Sequence, residues 1–555
     1  MRTMVAPDGA SGDLFGISVA LCGNRVVIGA FSDDDFGIDS GSAYYFRDVS
    51  GPLPLEILSQ TRDFAPGIVE ADFRAFGDAV INSEGEVACC ANLMGSGAGR
   101  GTAAKGIWND AGGYEAIGLA IRGGGEVAGG LTQNAIGRPI FNQPSDMVFA
   151  GTLRGTGINK ANDDAIFRFN EVRINAGTLP TVVLQEGDAP TPSGAVFNRF
   201  LDVAQSLNGV SGDLAVAFQY RNGPGGVNRT SDSGVLAVNH DGSIVGTVMS
   251  EGDQLNSTPG TFWGQFSPQI SKAGQFVTWT AFLQGTGVNA ANNQGIFFYE
   301  PGVGNESPAG RRGDPVGGGR VSNFLGVVVT PTPALLFRAT LREISGSKNE
   351  IISDGVDIKW QKGDEPHDLD PTFPAGVKTV RLLKFWPLDG NRFIYLAKLA
   401  GPGVNPSNDC GLFLRDFGTL QTLMREGDYG CTGDRAKIGA ILRVDAEPFS
   451  GKYVVLTSLT GNRASNQAIF TGNSSAGDRL GLKALRLPTL QLRKGTAYQA
   501  PTGETTRLLS LTFSNTTDRA GIGAKGGPQV VDENGNVVMC LQFTNRAKVL
   551  VKGKP

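Results

Sequence analysis

The sequence predicts an all-β protein, built as a single large β-propeller of four-stranded blades. Three observations support this: a Gly-Asp dipeptide that returns about every sixty residues, alternating apolar runs between its copies, and a composition rich in glycine but poor in charge. Tandem units of this length, with several short strands each, are typical of propeller blades, which bury their apolar faces only against their neighbours. We expect eight or nine blades, with two smaller rings as the alternative.

The Gly-Asp dipeptide sets the register of the repeat. Its positions, some of them degenerate, are Asp8, Asp63, Gly124, Asp188, Asp253, Asp314, Asp364, Asp428 and Thr496. They divide one domain, 1–555, into units at 9–63, 64–124, 125–188, 189–253, 254–314, 315–364, 365–428, 429–496 and 497–555 plus 1–8.

Each unit has the same predicted interior of four strands, a to d. A run such as "FVTWTAFL" at 276–283 alternates with period two and is rich in aromatic and β-branched residues, which indicates a strand. An Asn/Gly loop and a short strand follow, and the last strand ends at Gly-Asp. Residues 1–8 hold a d position with no a, b or c before it, while the last unit lacks its d strand. We therefore expect this N-terminal strand to complete the C-terminal blade and close the ring.

Composition and charge restrict the class of protein. Glycine supplies 80 of 555 residues, which suits tight turns that need positive φ. The net charge is −4 and no Lys/Arg-rich stripe appears, which argues against nucleic-acid binding. No apolar run approaches the ~20 residues of a transmembrane helix, no signal peptide is visible at the start of the sequence, and we expect a monomer.

The first unit resembles a bacterial FG-GAP repeat. Phe15-Gly16 and Gly29-Ala30-Phe31 stand where that motif has FG and GAP, within residues 8–46. The blades of integrin α-chain propellers are built from the same unit and bind Ca²⁺. The resemblance therefore implies a blade, and it draws attention to four clustered carboxylates as a candidate Ca²⁺ site: Asp33, Asp34, Asp35 and Asp39.

The rest of the chain, about 64–550, resembles the tandem NxxGxxAF repeats of secreted bacterial proteins with varied surface anchors. The segment "INSEGEVACCANL" keeps both turn residues of that pattern, Asn82 and Gly85. The resemblance implies an extracellular or cell-surface location, and it supplies no catalytic residue.

The loops between strands b and c are the most regular feature outside the strands. In a propeller they share one rim with the Gly-Asp turns, so their oxygens would form a circle suited to Ca²⁺ or to sugar hydroxyls. The alternative is that these residues cap tight turns through their own backbone. The loop residues are Asn159, Asn162, Asp163, Asn228, Asp232, Asn289, Asn292, Asn405, Asn408 and Asp409, and the turn residues are Asp188, Asp253, Asp314, Asp364 and Asp428.

Two further features concern cysteine and histidine. Cys410 and Cys431 flank the predicted c–d hairpin of one unit and would form a disulfide in an exported protein. His240 and His367 are the only histidines, which leaves a His-based triad or a His-rich metal site without residues.

The function predicted from the sequence is non-enzymatic binding of a glycan, matrix or protein partner through the loop-rich rim. One alternative is a glycan-acting enzyme with paired carboxylates at the tunnel mouth. Another is a structural spacer on the cell surface.

Overall fold

A computed structural model describes most of the chain. The residues it describes are 6, 10–22, 25–34, 40–46, 53–111, 117–143, 146–169, 178–190, 193–206, 214–239, 242–273, 276–299, 306–329, 335–430, 435–475, 486–499, 504–513, 527 and 529–555.

The fold is all-β, as predicted. The helices among the described residues are single 3₁₀ turns at Ser96–Ala98, Gly101–Ala104, Pro224–Gly226, Pro366–Asp368, Asp389–Asn391 and Arg463–Ser465. Within those same residues, no helix is long and apolar enough to cross a membrane.

The described strands form nine antiparallel sheets. The first, here called the N-terminal sheet, has three strands: β1 (Phe15–Cys22), β2 (Arg25–Ala30) and β3 (Ser42–Phe46). The next strand in sequence, β4 (Glu56–Gln60), leaves this sheet and pairs elsewhere.

Sheets 1 to 4 follow in chain order, each as an antiparallel meander. Sheet 1 contains β5 (Asp72–Ile81), β6 (Val87–Met94), β7 (Lys105–Asn109) and β8 (Gly118–Arg122). Sheet 2 contains β9 (Glu126–Val127), β10 (Leu131–Gln143), β11 (Asp146–Arg154), β12 (Asp164–Phe169) and β13 (Thr181–Gln185). Sheet 3 contains β14 (Phe197–Gln205), β15 (Leu214–Tyr220), β16 (Ser233–Val238) and β17 (Ile244–Ser250). Sheet 4 contains β18 (Thr261–Ala273), β19 (Phe276–Gly285), β20 (Gln294–Tyr299) and β21 (Glu306–Arg311).

Sheets 5 to 8 continue the series. Sheet 5 contains β22 (Pro315–Val316), β23 (Gly319–Val329), β24 (Leu335–Arg342), β25 (Glu350–Ser353) and β26 (Ile358–Gln361). Sheet 6 contains β27 (Lys378–Pro387), β28 (Phe393–Ala400), β29 (Cys410–Asp416) and β30 (Thr419–Arg425). Sheet 7 contains β31 (Ile438–Ala446), β32 (Lys452–Leu459), β33 (Gln467–Asn473) and β34 (Thr489–Arg493). Sheet 8 contains β35 (Ala497–Gln499), β36 (Thr505–Thr512), β37 (Val537–Phe543) and β38 (Lys548–Gly553), with β4 at its edge.

An N-terminal strand does complete the C-terminal sheet, but it is not the one predicted. Strand β4 pairs antiparallel with β38, with Gln60 opposite Val549 and Ser59 opposite Leu550. Of the predicted strand, residues 1–8, the structure describes only residue 6. The physical reason is that residues 15–46 form a sheet of their own, so the apolar segment just before Asp63 is the one that reaches sheet 8, where it buries Leu58.

Hydrophobic clusters join the eight sheets in sequence order. One cluster joins sheets 1 and 2 and contains Ile107 of sheet 1 and Phe149 of sheet 2. Further clusters join each sheet to the next as far as sheet 7. The largest cluster contains Val454 of sheet 7, Leu550 of sheet 8 and Phe73 of sheet 1. Packing therefore runs through all eight sheets and returns to the first, as in a β-propeller.

Long strands of neighbouring sheets lie beside one another. Strand β5 contacts β10, and β14 contacts β18. Each also carries irregular register against its neighbour, such as the shift between Phe76 and Ala79 in β5. Such β-bulges bend a strand and interrupt its free edge.

Candidate functional site

The loops and turns singled out in the sequence lie at the same end of each sheet. In sheet 2 the N–H of Glu186, just before Gly187-Asp188, donates to Asp164 O at 2.8 Å, where the b–c loop ends. Sheets 3 to 7 repeat this bond. We call this end the rim; it consists of the b–c loops and the Gly-Asp turns.

The paired asparagines of the b–c loops hold the loops together. The Asn159 N–H donates to Asn162 Oδ1 at 2.7 Å, and Asn162 Nδ2 donates to Gly157 O at 3.0 Å. Asn159 Oδ1 accepts from Ala161 N at 2.9 Å. These are side-chain-to-backbone turn bonds, which fix the loop and occupy the amide oxygens.

The same bonds recur in the other loops. They join Asn289 to Asn292 in sheet 4, and Asn405 to Asn408 in sheet 6, at 2.8 and 2.7 Å. In sheet 3 the position of the second Asn is taken by a serine, whose Oγ accepts from Asn228 N at 3.0 Å. These bonds give the asparagines a backbone role.

The Gly-Asp turns join each sheet to the next. Gly187 N donates to Phe197 O at 2.8 Å and Phe197 N donates to Asp188 O at 3.0 Å, which connects sheet 2 to the first strand of sheet 3. The carboxylate of Asp188 turns back and accepts from Gln185 N at 3.2 Å. Because this junction is needed once per sheet, the dipeptide recurs at the length of a blade.

The same geometry is found at the other Gly-Asp turns. The carboxylates of Asp253, Asp314 and Asp364 accept from the backbone N–H three residues earlier, at 3.2, 2.6 and 2.8 Å. At Asp428 the backbone pairs with Ile438 of sheet 7. Burial raises the pKa of Asp188, Asp253, Asp364 and Asp428.

The residue just before each Gly-Asp was missed in the sequence, and it gives the rim its charge. In sheets 4, 5 and 7 it is a cation that donates to an Asn at the end of the b–c loop, at 3.3, 3.1 and 3.3 Å. In sheets 2, 3 and 6 both positions are acidic. The cationic pairs are Arg312–Asn293, Lys362–Asn349 and Lys494–Asn466, and the acidic pairs are Glu186–Asp163, Glu251–Asp232 and Glu426–Asp409.

Each acidic pair has a different means of reducing repulsion. Arg221 of sheet 3 lies 3.2 Å from Glu186, and Ser233 Oγ donates to Glu251 at 2.8 Å. In sheet 6, Lys398 donates to Asp409. Burial is the main reason that the pKa values of Glu251 and Glu426 are raised. The neighbouring carboxylates, Asp232 and Asp409, raise them further.

The candidate Ca²⁺ residues do not form a ligand set within the described residues. Asp33 is buried and its Oδ2 accepts from the Tyr44 hydroxyl at 2.5 Å, while Asp34 is exposed. Asp35 and Asp39 lie outside the described residues. Ca²⁺ takes six to eight oxygen ligands, and no group of three acidic, His or Cys side chains within the described part of the chain is placed to hold a metal.

Of the predicted disulfide, the described residues include only Cys410. Cys410 is a buried free thiol, and burial raises its pKa to about 12. Cys431 lies outside the described residues.

Comparison with known proteins places the chain in a family. A family model described as a family of unknown function, DUF7453, matches residues 23–262 and 264–544. The chain belongs to the DUF7453 family. No curated protein matches it.

Solved structures that align with this DUF7453 chain are distant. The β-propeller domain of the Trilobed protease from Pyrococcus furiosus is 10% identical, with 72% of this chain and 95% of that chain covered and a TM-score of 0.37. The Dos1 propeller is 7% identical, with 79% and 87% covered and a TM-score of 0.33. A prolyl endopeptidase is 10% identical at a TM-score of 0.36, and the match spans 47% of that chain, about half its length.

Proposed function

We propose that the chain is one closed ring of eight blades, sheets 1 to 8, and that it is an exported, non-enzymatic module that binds a surface glycan or protein through its rim. The closed order of the hydrophobic clusters and the pairing of β4 with β38 support the ring.

The observation that carries the binding function is the charge pattern of the rim. The Asn turns and Gly-Asp junctions repeat the same backbone from sheet to sheet, so the scaffold is constant. The residue before Gly-Asp nevertheless changes from acid in sheets 2, 3 and 6 to cation in sheets 4, 5 and 7. Fold alone does not require this alternation, because the backbone bonds are the same in both classes. A constant scaffold with variable charge suits specific recognition.

The enzymatic alternative has less support. Two of the acidic rim pairs already have polar partners: Lys398 donates to Asp409, and Ser233 Oγ donates to Glu251 at 2.8 Å.

Binding of the full chain to immobilised alginate, heparin and dextran tests this function. We expect at least one of the charged polymers to bind, and the triple variant R312Q/K362Q/K494Q to lose ten-fold or more of that affinity. A variant that removes the charge of Lys452, at the opposite end of sheet 7, is the control. The proposal would be contradicted if none of the three polymers binds, or if the triple variant binds as tightly as the unaltered chain.

Calcium is a separate question. The resemblance of residues 8–46 to FG-GAP repeats proposes Ca²⁺, whereas the described carboxylate of Asp33 is already bonded to Tyr44. We expect a chelator to leave the melting temperature unchanged, and a fall of several degrees that added Ca²⁺ reverses would establish a Ca²⁺ site in the chain.

A further inference from the structure

A cleft of about 260 Å³ lies between sheets 1 and 2, apart from the Asn turns and Gly-Asp junctions. One wall is formed by strands β6 and β7 of sheet 1, the other by the bulged part of β10 in sheet 2. Its volume is just below the ~300–1,000 Å³ of pockets for drug-sized ligands. The cleft therefore has room for one small chemical unit.

The cleft exists because the apolar packing between the two sheets stops short of the rim. Ala88 and Ile107 of sheet 1 are buried against sheet 2, and Cys90 is packed against the same cluster. One step further along these strands come Asn92 and Lys105, which are paired directly opposite each other.

Glycine keeps the facing strands close and the cleft open. Gly77 and Gly137 occupy corresponding bulges in β5 and β10. A Cβ on Gly77 would lie 3.3 Å from Cys90 Cβ, and one on Gly137 would clash with the carbonyl oxygen of Ala150. No side chain at either position fills the space between the sheets.

The polar groups of the cleft carry a net positive charge. Arg138 Nε lies 2.6 Å from Asp78 Oδ2, and the Arg138 side chain is 48% exposed. The ammonium of Lys105 and the amide of Asn92 have no hydrogen-bond partner among the described residues. The cleft holds two cations, Lys105 and Arg138, and one carboxylate, Asp78, although the whole chain has a net charge of −4. This local charge favours the binding of an anion.

We propose that this cleft binds the carboxylate of an acidic sugar, with Lys105 and Arg138 holding the carboxylate. Asn92 both donates and accepts hydrogen bonds, and Asp78 accepts them, so the two residues suit the hydroxyls of a sugar ring. A cleft for an acidic peptide side chain would need a cation but not this mixture of donors and acceptors. The inference deepens the proposed function and rests on it, since Asn92 and Lys105 adjoin the b–c loop of sheet 1 at the rim.

Titration calorimetry of the full chain with D-galacturonate and with D-galactose tests the site. The two sugars differ in the carboxylate, so we expect D-galacturonate to bind at least ten-fold more tightly. Lys105→Gln should lose ten-fold or more of this affinity, and Lys554→Gln, which removes an exposed lysine just after β38, should lose none.

A second variant keeps the test valid if charge loss disturbs folding. Asp78→Asn removes the carboxylate that competes for Arg138, so it should tighten D-galacturonate several-fold. Equal binding of the two sugars, no binding, or an unchanged affinity in Lys105→Gln would overturn the proposal, and binding of N-acetyl-aspartate in place of D-galacturonate would assign the cleft to acidic peptides. If D-galacturonate binds in this cleft but none of the immobilised polymers binds to the chain, the proposal of binding through the rim is contradicted and the proposal for the cleft is supported.

Discussion

The ammonium of Lys552 lies 2.5 Å from Oδ2 of Asp110, and this ion pair joins sheet 8 to sheet 1. The Asp110 carboxylate is fully buried, whereas Lys552 is 22% exposed. The other oxygen of Asp110 accepts from the Val87 N–H at 2.5 Å. This ion pair stabilises the contact between sheets 8 and 1, in addition to the pairing of β4 with β38 within sheet 8.

Lys552→Met should destabilise the protein by about 3 kcal/mol at neutral pH, because it leaves a buried carboxylate without its cation. Burial already raises the pKa of Asp110, and Lys552 opposes that rise. A raised folded pKa means that protonation favours the folded state as the pH falls towards the ordinary pKa of Asp. The deficit measured by urea unfolding should therefore shrink between pH 7 and about pH 4.

Lys552→Arg keeps the charge and is the matched control. A deficit that is the same at both pH values would show that lost packing, and not the buried charge, is the cause.

Glu426→Gln should stabilise the protein at neutral pH. The amide of the new residue can donate to Asp409, which replaces a repulsive carboxyl pair with an ordinary hydrogen bond worth about 1 kcal/mol. Burial, and then Asp409, raises the pKa of Glu426, so the native protein gains stability as the pH falls and the advantage of the variant should disappear below the ordinary pKa of Glu. Glu343→Gln, at an exposed site, should show no such dependence, and a loss of stability at pH 7 in Glu426→Gln would contradict this account.

Arg62, in the turn that precedes sheet 1, occupies the position that glycine takes in the Gly-Asp turns between the other sheets. Its φ is 77°, and that of Gly187 is 88°. A side chain in this left-handed region costs about 1–2 kcal/mol, partly offset by the greater freedom of glycine in the unfolded chain. Arg62→Gly should raise stability by about 0.5–1 kcal/mol.

The reverse change serves as its counterpart. Gly187→Ala should destabilise by 1 kcal/mol or more, because a Cβ there would also lie 3.3 Å from Ala161 O. Thermal unfolding of both variants checks the pair, and a stabilised Gly187→Ala would rule out strain as the reason for glycine.

Asn408→Ala should loosen the rim of sheet 6 without unfolding the protein. It removes the acceptor for Asn405 N and the donor to Gly403 O, and a side-chain-to-backbone bond of this kind is worth about 1 kcal/mol. Hydrogen exchange should rise at residues 403–408 and remain unchanged in sheet 3. Lys160→Ala in the loop of sheet 2 should change neither quantity. Unaltered protection in Asn408→Ala would show that the glycines alone fix the loop.

Much of the fold could be predicted because the junction between sheets is a local structure. Gly187-Asp188 makes its bonds within a few residues and to the start of the next strand, so its recurrence reveals the length of a blade. The alternating strand at 276–283 lies within β19 for the same reason, since side chains on a strand alternate between faces.

The closing strand could not be predicted from the same pattern. The register marks at Asp8 and Asp63 are both preceded by short apolar segments, and the choice between them depends on which one pairs with Leu550. That is a contact between the two ends of the chain, which local pattern does not encode. The charge pairs of the rim were missed for a different reason: Arg312 and Asn293 become partners only when the units are aligned residue by residue.

We propose that β4 closes the ring, and N-terminal truncation tests this closure most directly. A chain that begins at residue 53 keeps β4 and should unfold cooperatively at the temperature of the full chain. A chain that begins at residue 62 lacks β4, exposes the edge of β38 and should melt at least ten degrees lower. Addition of a synthetic peptide of residues 53–62 should restore much of the loss. Equal melting temperatures for the two truncated chains, with no effect of the peptide, would contradict closure by this strand.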